Sequence, residues 1–288
     1  MFVPRKILEE KLRRILEEDV GQGDATTSLV VPEGSVAEAE VIAKEPGIVA
    51  GMEEGEALLK SLELHVEPLV NDGDKIKINQ KLMKISGDAR TILSVERTLL
   101  NIISRMSGIA TATRNLVEKL QKAGLRTKVA CTRKTAPGLL YFDKKAVFIG
   151  GGDTHRLHLD DMILIKDNHV KIAGGLERAV KRAREKASFS KKIEVEVANS
   201  EEAIIAAKAG ADIIMLDNFS PKQIEKTLKL LKDEGLFGSV LLEASGGITA
   251  ENIKSFASTK VDVVSLGQIT HSTMALNVSL EIVKTSKK

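Results

Sequence analysis

The chain has 288 residues, enough for one large domain or two ordinary ones, and 43% of them are apolar. Aromatic residues make up only 3%, which argues against stacking platforms for single-stranded nucleic acid, and a net charge of +3 from 43 basic and 40 acidic residues does not predict DNA or RNA binding. The single cysteine, Cys131, excludes an internal disulfide and a cysteine-rich metal site, which favours a reducing, cytoplasmic location.

The first third of the chain predicts a mixed α+β domain. A helix is predicted from Arg5 to Glu18, where Leu8, Leu12 and Leu16 share one face; this charged start lacks the apolar core of a signal peptide, and no later run is long enough to span a membrane. The glycine- and threonine-rich segment that follows predicts a loop. The next segments predict, in order, a strand pair (36–51), a helix (52–64), short antiparallel strands (65–89) and a long helix (90–123).

The rest of the chain alternates short apolar strands with helical segments. Ser200, Ser220 and Thr249 stand at the head of three of these segments and are predicted as N-caps. Strands buried on both faces indicate a parallel sheet, and six units without a Rossmann glycine fingerprint favour an incomplete barrel. The six predicted strands lie in KVACTRKT, MILIKDN, IEVEVAN, DIIMLDN, VLLEASGG and VDVVSLGQ.

Polar residues follow each predicted strand. In a parallel barrel the carboxyl ends of the strands meet at one mouth, so these residues converge on one site. Cations come on the earlier strands, carboxylates on the middle ones and glycines on the last ones, which suits a multiply anionic substrate carrying a phosphate. The residues are Arg133, Lys134, Lys166, Asn168, Glu194, Glu196, Asp217, Asn218, Glu243, Ser245 and Gly267.

Two glycine motifs follow the last two strands. ASGGIT and SLGQIT allow backbone N–H groups and a helix N-terminus to approach a phosphate, and the alternative is a tight strand-to-helix turn. Glu196 and Asp217 end neighbouring strands. These carboxylates suit ribose hydroxyls or Mg²⁺, and the alternative is capping or salt bridging. Glu194 points the same way as Glu196 and is a weaker candidate.

A dense set of potential cations precedes these carboxylates. Most basic side chains are solvated surface, but Lys166 directly follows four apolar residues, which favours a place in the site. His169 is predicted to be structural and Cys131 a buried inert thiol, while Asp160 and Asp161 are predicted to brace a loop. The predicted anion-binding residues are Arg133, Lys134, His155, Arg156 and Lys166.

Taken together, the motifs resemble the quinolinate phosphoribosyltransferase family, also called carboxylating nicotinate-nucleotide pyrophosphorylases. The resemblance covers nearly the whole chain and rests on EDVGQGDATTS, KEPGIVAG, ERTLLNIISRMSGIATAT, TRKTAPGL, KKAVFIGGGDTHR, ILIKDNHV, IMLDNFSP, LEASGGI and VVSLGQITHS. It implies an N-terminal α/β sandwich (1–105, joined by the tail 271–288) and an incomplete α/β barrel (106–270). It also implies at least a homodimer, with Arg97 of one subunit reaching the neighbouring site.

The resemblance further implies a pentosyltransferase reaction in NAD biosynthesis. Quinolinate and 5-phosphoribosyl-1-pyrophosphate would give nicotinate mononucleotide, pyrophosphate and CO₂, with Mg²⁺ as cofactor. The catalytic residues would be Lys166, Glu196 and Asp217, of which the two carboxylates would hold ribose hydroxyls and Mg²⁺. The substrate-binding residues would be Arg97, Arg133, Lys134, His155, Arg156, Lys166, Ser245, Gly246, Gly247 and Gly267.

Two positions depart from the family pattern, and one alternative stays open. Ala198 and Asn199 follow EVEV where relatives often have an Asp, and His158 stands where a Gly is common. The alternative is a paralogous enzyme on the same fold, acting on nicotinate or associated with molybdenum transport. The dense cation set favours a dicarboxylate over a monocarboxylate.

Overall fold

The computed structural model describes residues 3–287, which form two compact units. The first unit takes the chain up to Arg114, together with Tyr141–Gly151 and the segment from Thr273 onward. The second takes Asn115–Leu140 and Gly152–Ser272. The chain therefore leaves the second unit once, contributes a short segment to the first, and returns. The predicted domain boundaries at 105/106 and 270/271 stay a prediction.

The described residues form strands and helices that are numbered here in chain order. The strands are β1 (Ser35–Ala43), β2 (Gly47–Ile48), β3 (His65–Pro68), β4 (Lys75–Ile76), β5 (Lys81–Asp88), β6 (Lys128–Cys131), β7 (Ile163–Ile165), β8 (Ile193–Val197), β9 (Ile213–Asp217), β10 (Leu241–Ser245), β11 (Val263–Leu266) and β12 (Val278–Lys287). The helices are α1 (Arg5–Val20), α2 (Ala25–Val30), α3 (Met52–Ser61), α4 (Ala89–Lys122), α5 (Leu140–Ile149), α6 (Asp167–Ala173), α7 (Leu176–Lys186), α8 (Ser200–Ala209), α9 (Pro221–Asp233), α10 (Ile253–Ala257) and α11 (Gln268–His271).

The first unit is built on an antiparallel sheet in the order β12-β1-β5-β3. Its central strand β1 buries Ala37, Ala39, Val41 and Ala43, the alternation expected of a strand with one face on the core. The C-terminal strand β12 pairs with β1 along its whole length. Helix α3 packs so closely that a Cβ at Gly55 would lie 2.9 Å from a methyl of Leu99 in α4.

Two predictions in the first unit were wrong in detail. The segment 36–51 forms two strands, but they do not pair with each other: β1 lies in the four-stranded sheet, and β2 pairs with β4. The segment predicted as a loop contains α2, whose start is fixed by Asp24. The Asp24 carboxylate accepts hydrogen bonds from the backbone and the hydroxyl of Thr27. A six-residue helix is too short to show helical periodicity in the sequence.

The second unit contains the predicted parallel sheet. All six predicted strands form, in the order β6-β11-β10-β9-β8-β7, so the fold class, an α/β protein with an incomplete barrel, is confirmed. Strands β6 and β7 are the two edges of this sheet. The segment around Asp153 pairs locally with β6, because the Asp153 N–H donates to Val129 O and the Cys131 N–H donates to Asp153 O.

Of the three predicted N-caps, only Ser220 is one. Its hydroxyl accepts from the Gln223 N–H, and the Gln223 side chain accepts from the Ser220 N–H, which forms a capping box. Helix α8 is capped by Asn199, one residue before the predicted Ser200, and α10 begins after Asn252 rather than at Thr249. Asn competes equally with Ser for this position, so the sequence alone left a one-residue ambiguity. None of the described helices is long and apolar enough to cross a membrane.

Candidate active site

A cavity of about 590 Å³ opens at the carboxyl end of the parallel sheet, a size that suits a small-molecule ligand. The predicted convergence of the strand ends is therefore confirmed. The lining residues are Thr132, Arg133, Lys134, His155, Arg156, Leu164, Lys166, Glu196, Met215, Asp217, Asn218, Glu243, Ser245, Gly246 and Gly247.

Two of the predicted binding residues do not line this cavity. Gly267 lies beside it, and a Cβ there would lie 2.9 Å from Cδ of Lys134 and 3.1 Å from the His271 ring. Glycine at this position therefore makes room for the Lys134 side chain. Arg97 lies on α4 in the first unit, where it is exposed, and its proposed reach into a neighbouring subunit stays a prediction.

The loop after β6 supplies Arg133 and Lys134. The Thr270 hydroxyl donates to the Lys134 carbonyl oxygen at 2.8 Å, and this bond holds the loop against the segment that follows β11. Two basic side chains thus enter the cavity from one strand end.

His155 and Arg156 come from the segment that pairs with the edge of β6. Because Asp153 is bonded to β6, His155 and Arg156, which come two and three residues after it, emerge at the same end of the sheet as Arg133 and Lys134. His155 adopts a left-handed backbone conformation with φ of 51°, and its N–H donates to the Asp153 carboxylate at 2.8 Å. Such a conformation is uncommon for a non-glycine residue and points to a local constraint.

Lys166 follows β7 directly and lies in the acidic part of the cavity. Its ammonium group is 2.6 Å from Oε2 of Glu196 on the neighbouring strand β8. The start of α6 is fixed by His169, whose Nδ1 accepts from the Lys166 N–H at 2.9 Å, so this histidine has the structural contact that was predicted. The geometry places a cation directly beside one of the two predicted acidic residues.

Asp217 ends β9, next to β8, and the Asn218 amide donates to its Oδ2 at 2.7 Å. Burial raises the pKa of Asp217, and the negative charge of Glu196 raises it further. The two carboxylates therefore lie close enough to repel each other. Oxygen donors arranged in this way suit a hard divalent cation, whose charge would relieve that repulsion.

Below these residues, His155 lies between two buried carboxylates. Its Nε2 is 3.0 Å from Oε2 of Glu243 on β10 and 3.4 Å from Oε2 of Glu194 on β8. Burial lowers the pKa of His155, but its hydrogen bond to Glu243, its contact with Glu194 and the charges of both carboxylates outweigh burial and raise the pKa to about 10. Burial raises the pKa of Glu194, and the contact with His155 opposes that rise.

The buried group of His155, Glu194 and Glu243 was predicted only in part. Glu194 was a weak candidate, and Glu243 was noted at a strand end without a role. A signal did exist: in IEVEV and LLEAS a carboxylate stands between apolar residues in the middle of a strand. Such a position is inward-facing and buried in a parallel barrel, where an acid without a partner would be costly.

A sharp turn after β10 forms the remaining wall. Gly246 and Gly247 have φ of 86° and 61°, a region that favours glycine. A Cβ at Gly246 would lie 2.9 Å from the Asn218 backbone nitrogen, whose N–H donates to Ser245 O. The helix predicted to assist this turn begins only at Ile253 and has five residues, so the backbone of the turn itself faces the cavity.

Three further residues have the structural roles predicted for them. The Cys131 side chain is buried and its thiol donates to the Thr154 carbonyl oxygen. Asp161 accepts from the Leu157 N–H at 3.0 Å, and the Asp160 carbonyl oxygen accepts from the Lys191 ammonium group, so both brace a loop.

Comparison with known proteins shows the family of the chain. The model of the quinolinate phosphoribosyl transferase C-terminal domain matches residues 109–281, and that of the N-terminal domain matches residues 24–107. The chain belongs to the quinolinate phosphoribosyl transferase family. A relative from Methanothermobacter thermautotrophicus, named probable nicotinate-nucleotide pyrophosphorylase [carboxylating], is 45% identical over 271 residues, which cover 94% of this chain and 97% of the relative.

Solved structures agree with this assignment. The nicotinate-nucleotide pyrophosphorylase from Francisella tularensis is 38% identical with a TM-score of 0.89, covering 98% of each chain. The human nicotinic acid phosphoribosyltransferase has a TM-score of 0.59 at 13% identity, covering 99% of this chain and 75% of that one, which shows a likeness of fold alone. The nicotinate-nucleotide pyrophosphorylases named here are pentosyltransferases. The resemblance to the quinolinate phosphoribosyltransferase family, inferred from the sequence motifs, is confirmed.

Proposed function

We propose that this member of the family converts quinolinate and 5-phosphoribosyl-1-pyrophosphate into nicotinate mononucleotide, pyrophosphate and CO₂, a step of NAD biosynthesis. The observation that carries the proposal is the sorting of charge around one cavity. Basic side chains from two neighbouring loops lie on one side, paired carboxylates lie on another, and a glycine turn lies beside the carboxylates.

The basic side suits a substrate with two adjacent carboxylates. Arg133, His155 and Arg156 would hold quinolinate, together with Lys166 and with Arg97 of a neighbouring subunit. Arginine binds carboxylates through two parallel hydrogen bonds, and a pyridine dicarboxylate needs more cations than a monocarboxylate does. Burial lowers the pKa of Arg156, and so does the nearby charge of Arg133, which indicates that the two guanidinium groups lie close enough to serve one anion.

The acidic side suits the sugar and its leaving group. Glu196 and Asp217 would bind the ribose hydroxyls and would hold Mg²⁺, directly or through water. When bound, Mg²⁺ would neutralise charge on the departing pyrophosphate, and Lys134 would face the same group. The turn at Ser245, Gly246 and Gly247 would bind the 5-phosphate through its backbone, with Gly267 keeping the neighbouring space open for Lys134.

The chemistry follows from this arrangement. The pyridine nitrogen bonds to the anomeric carbon as the bond to pyrophosphate breaks, and that electron pair leaves with pyrophosphate. Glu196 and Asp217 stabilise positive charge that develops on the sugar. The ring nitrogen is then positive, so the bond to the adjacent carboxylate breaks, its electron pair stays on the ring, CO₂ departs and a proton replaces it. Lys166 would lie between that carboxylate and the ring carbon that accepts the proton.

A direct assay tests the proposal. Purified protein is mixed with 5-phosphoribosyl-1-pyrophosphate, Mg²⁺ and either quinolinate or nicotinate, and nicotinate mononucleotide and released CO₂ are measured. Turnover with quinolinate alone is expected. Turnover with nicotinate instead, or with neither acid, would contradict the proposed acceptor. The homo-oligomeric state and the cytoplasmic location stay predictions that gel filtration and fractionation can check.

A further inference from the structure

The base of the cavity contains an arrangement that the proposed reaction does not by itself require. Glu194 and Glu243 are 0% and 1% exposed, and both lie against the same ring nitrogen of His155. Neither oxygen of Glu194 has a well-aligned hydrogen bond among the described residues. Two buried carboxylates at one imidazole are costly unless positive charge balances them.

Two basic residues of one loop, His155 and Arg156, interact with these carboxylates and supply positive charge. Arg156, 7% exposed, interacts with Glu194, and it is also close to the charges of Arg133 and Asp161. His155 is therefore the basic group that lies directly against both carboxylates. Among the described residues, the strand partners of the two carboxylates are apolar: the register places Leu164 of β7 and Ile213 of β9 beside Glu194, and Met215 of β9 and Val263 of β11 beside Glu243.

Asp153 also lies near His155, but it contacts the backbone of His155 rather than the ring. Asp153 accepts from the His155 N–H, its side chain is 46% exposed, and Lys128 lies 3.9 Å from it. Among the described residues, the charged side chains that contact the ring are therefore those of Glu194 and Glu243.

The geometry also decides which ring nitrogen is available to a ligand. Nε2 faces the two carboxylates, so its hydrogen points away from any substrate. A neutral ring has one N–H, and with that hydrogen on Nε2 the Nδ1 atom would be an acceptor that repels a substrate carboxylate. Only the doubly protonated ring has a second N–H, on Nδ1, to donate to an anion in the cavity.

We propose that Glu243, together with Glu194, is a positioning residue that keeps His155 doubly protonated and oriented so that Nδ1 donates to a carboxylate of the substrate. This inference rests on the proposed function, which supplies the dicarboxylate substrate. The raised pKa of His155 is consistent with the geometry. The left-handed backbone at His155 fits the same role, because it is the kind of strain that persists where a side chain must be held in one place.

The first test measures the protonation state of His155 without substrate. Histidine-labelled protein is followed by nitrogen NMR across pH, and the His155 signals are assigned by their loss in the His155→Gln variant. A doubly protonated ring is expected through about pH 9, since two carboxylates stabilise it. In Glu243→Gln the ring should lose its proton at least about one pH unit lower. A neutral ring at about pH 7.5 in the unmodified protein, or an unchanged titration in the variant, would overturn the proposal.

The second test separates positioning from folding. In Glu243→Gln the KM for quinolinate should rise about 10- to 100-fold at high pH, as expected for one lost charge-assisted hydrogen bond, with a smaller rise at low pH and little change in kcat. Calorimetric binding of 5-phosphoribosyl-1-pyrophosphate should be unchanged. Glu40→Gln is a matched control, because Glu40 is 8% exposed and paired with Lys81 in the first unit. Equal changes in KM at every pH would contradict the role assigned to Glu243.

Two further outcomes are distinguishable. The unmodified protein could bind no quinolinate while the protonation of His155 still depends on Glu243. That result would refute the proposed substrate but would support the positioning role of Glu243 toward another anion. If Zn²⁺ shifts the His155 signals in the unmodified protein and not in Glu243→Gln, the cluster is a metal site and the positioning role is overturned. The three candidate ligand atoms lie within 4.8 Å of one another, so this control is needed.

Discussion

The first unit pairs its buried carboxylates with the long side chains of arginine and lysine. The second unit instead places two buried carboxylates, Glu194 and Glu243, against the ring of one histidine at the base of a cavity. In the first unit, Asp143 accepts from Nε and Nη2 of Arg105 at 2.7 and 2.8 Å, and Glu54 lies 2.7 Å from the Lys145 ammonium group. All of these contacts are internal to the unit. Burial raises the pKa of Glu54, and the charge of Lys145 opposes that rise.

This difference separates two uses of buried charge. A carboxylate paired with lysine or arginine away from a cavity has its charge neutralised, and the pair contributes to the specificity of packing. A carboxylate paired with a histidine that lines a cavity sets the charge of a group that can contact a ligand. The first cluster should therefore act on stability, and the second on binding and its pH dependence.

The largest expected effect is on the stability of the first cluster. Lys145→Met should lower the free energy of unfolding by about 3 to 5 kcal/mol, because it leaves Glu54 buried without its partner. Urea unfolding measures this loss. It should be smaller near pH 5 than near pH 8, since Glu54 then folds protonated. The double variant Lys145→Met/Glu54→Met should recover most of the loss, and an equal loss in both variants would refute the pairing argument.

A somewhat smaller free-energy effect is expected on catalysis in the cavity. Lys166→Ala should lower kcat for quinolinate by about 10² to 10³-fold, the cost of removing one charged donor from a reacting centre. Its unfolding midpoint should change little, because the Lys166 side chain is 48% exposed and its ion pair with Glu196 is partly solvated. Lys171→Ala, on the same short helix and paired with Asp167, is the control that should keep full activity. Full activity in Lys166→Ala would exclude the proposed role.

The smallest expected effect is on the stability of the second unit, where the Asp212 carboxylate binds the backbone at the start of β8. Asp212 accepts from the Ile193 N–H at 2.8 Å and pairs with Arg184. Burial raises the pKa of Asp212, but the hydrogen bonds from the Ile193 N–H and from Arg184 outweigh burial and lower that pKa. The stabilisation is therefore present above the ordinary value of 3.8 and is lost as pH falls through the folded pKa.

Asp212→Asn should lower stability at neutral pH by under about 1 kcal/mol, because its partner Arg184 is 44% exposed and solvent screens the ion pair. The difference from the unmodified protein should vanish in acid. Thermal unfolding across pH measures it, and a difference that grows toward low pH would show the wrong sign.

Much of the second unit could be predicted from its sequence because its signals are local. An apolar strand that ends in Lys166, Asp217 or Ser245 predicts both the strand and the position of the side chain at the mouth of a parallel sheet. The same logic failed where the signal was weak. The N-cap of α8 was misplaced by one residue because Asn and Ser compete for that position, and α10 begins after Asn252 rather than at Thr249. Helix α2 was missed because six residues show no periodicity.

The family, the six-stranded sheet and the residues at the strand ends could be predicted from the sequence alone, since each depends on motifs or spacing along a short stretch of chain. The folded chain was needed to show that β1 pairs with β12 rather than β2, that Gly267 lies beside the cavity, and that His155 contacts Glu243. The reason is physical: those contacts join residues far apart in the chain, and they depend on how strands pack side by side. His155 and Glu243 are 88 residues apart in the chain, and no local propensity encodes the contact between them.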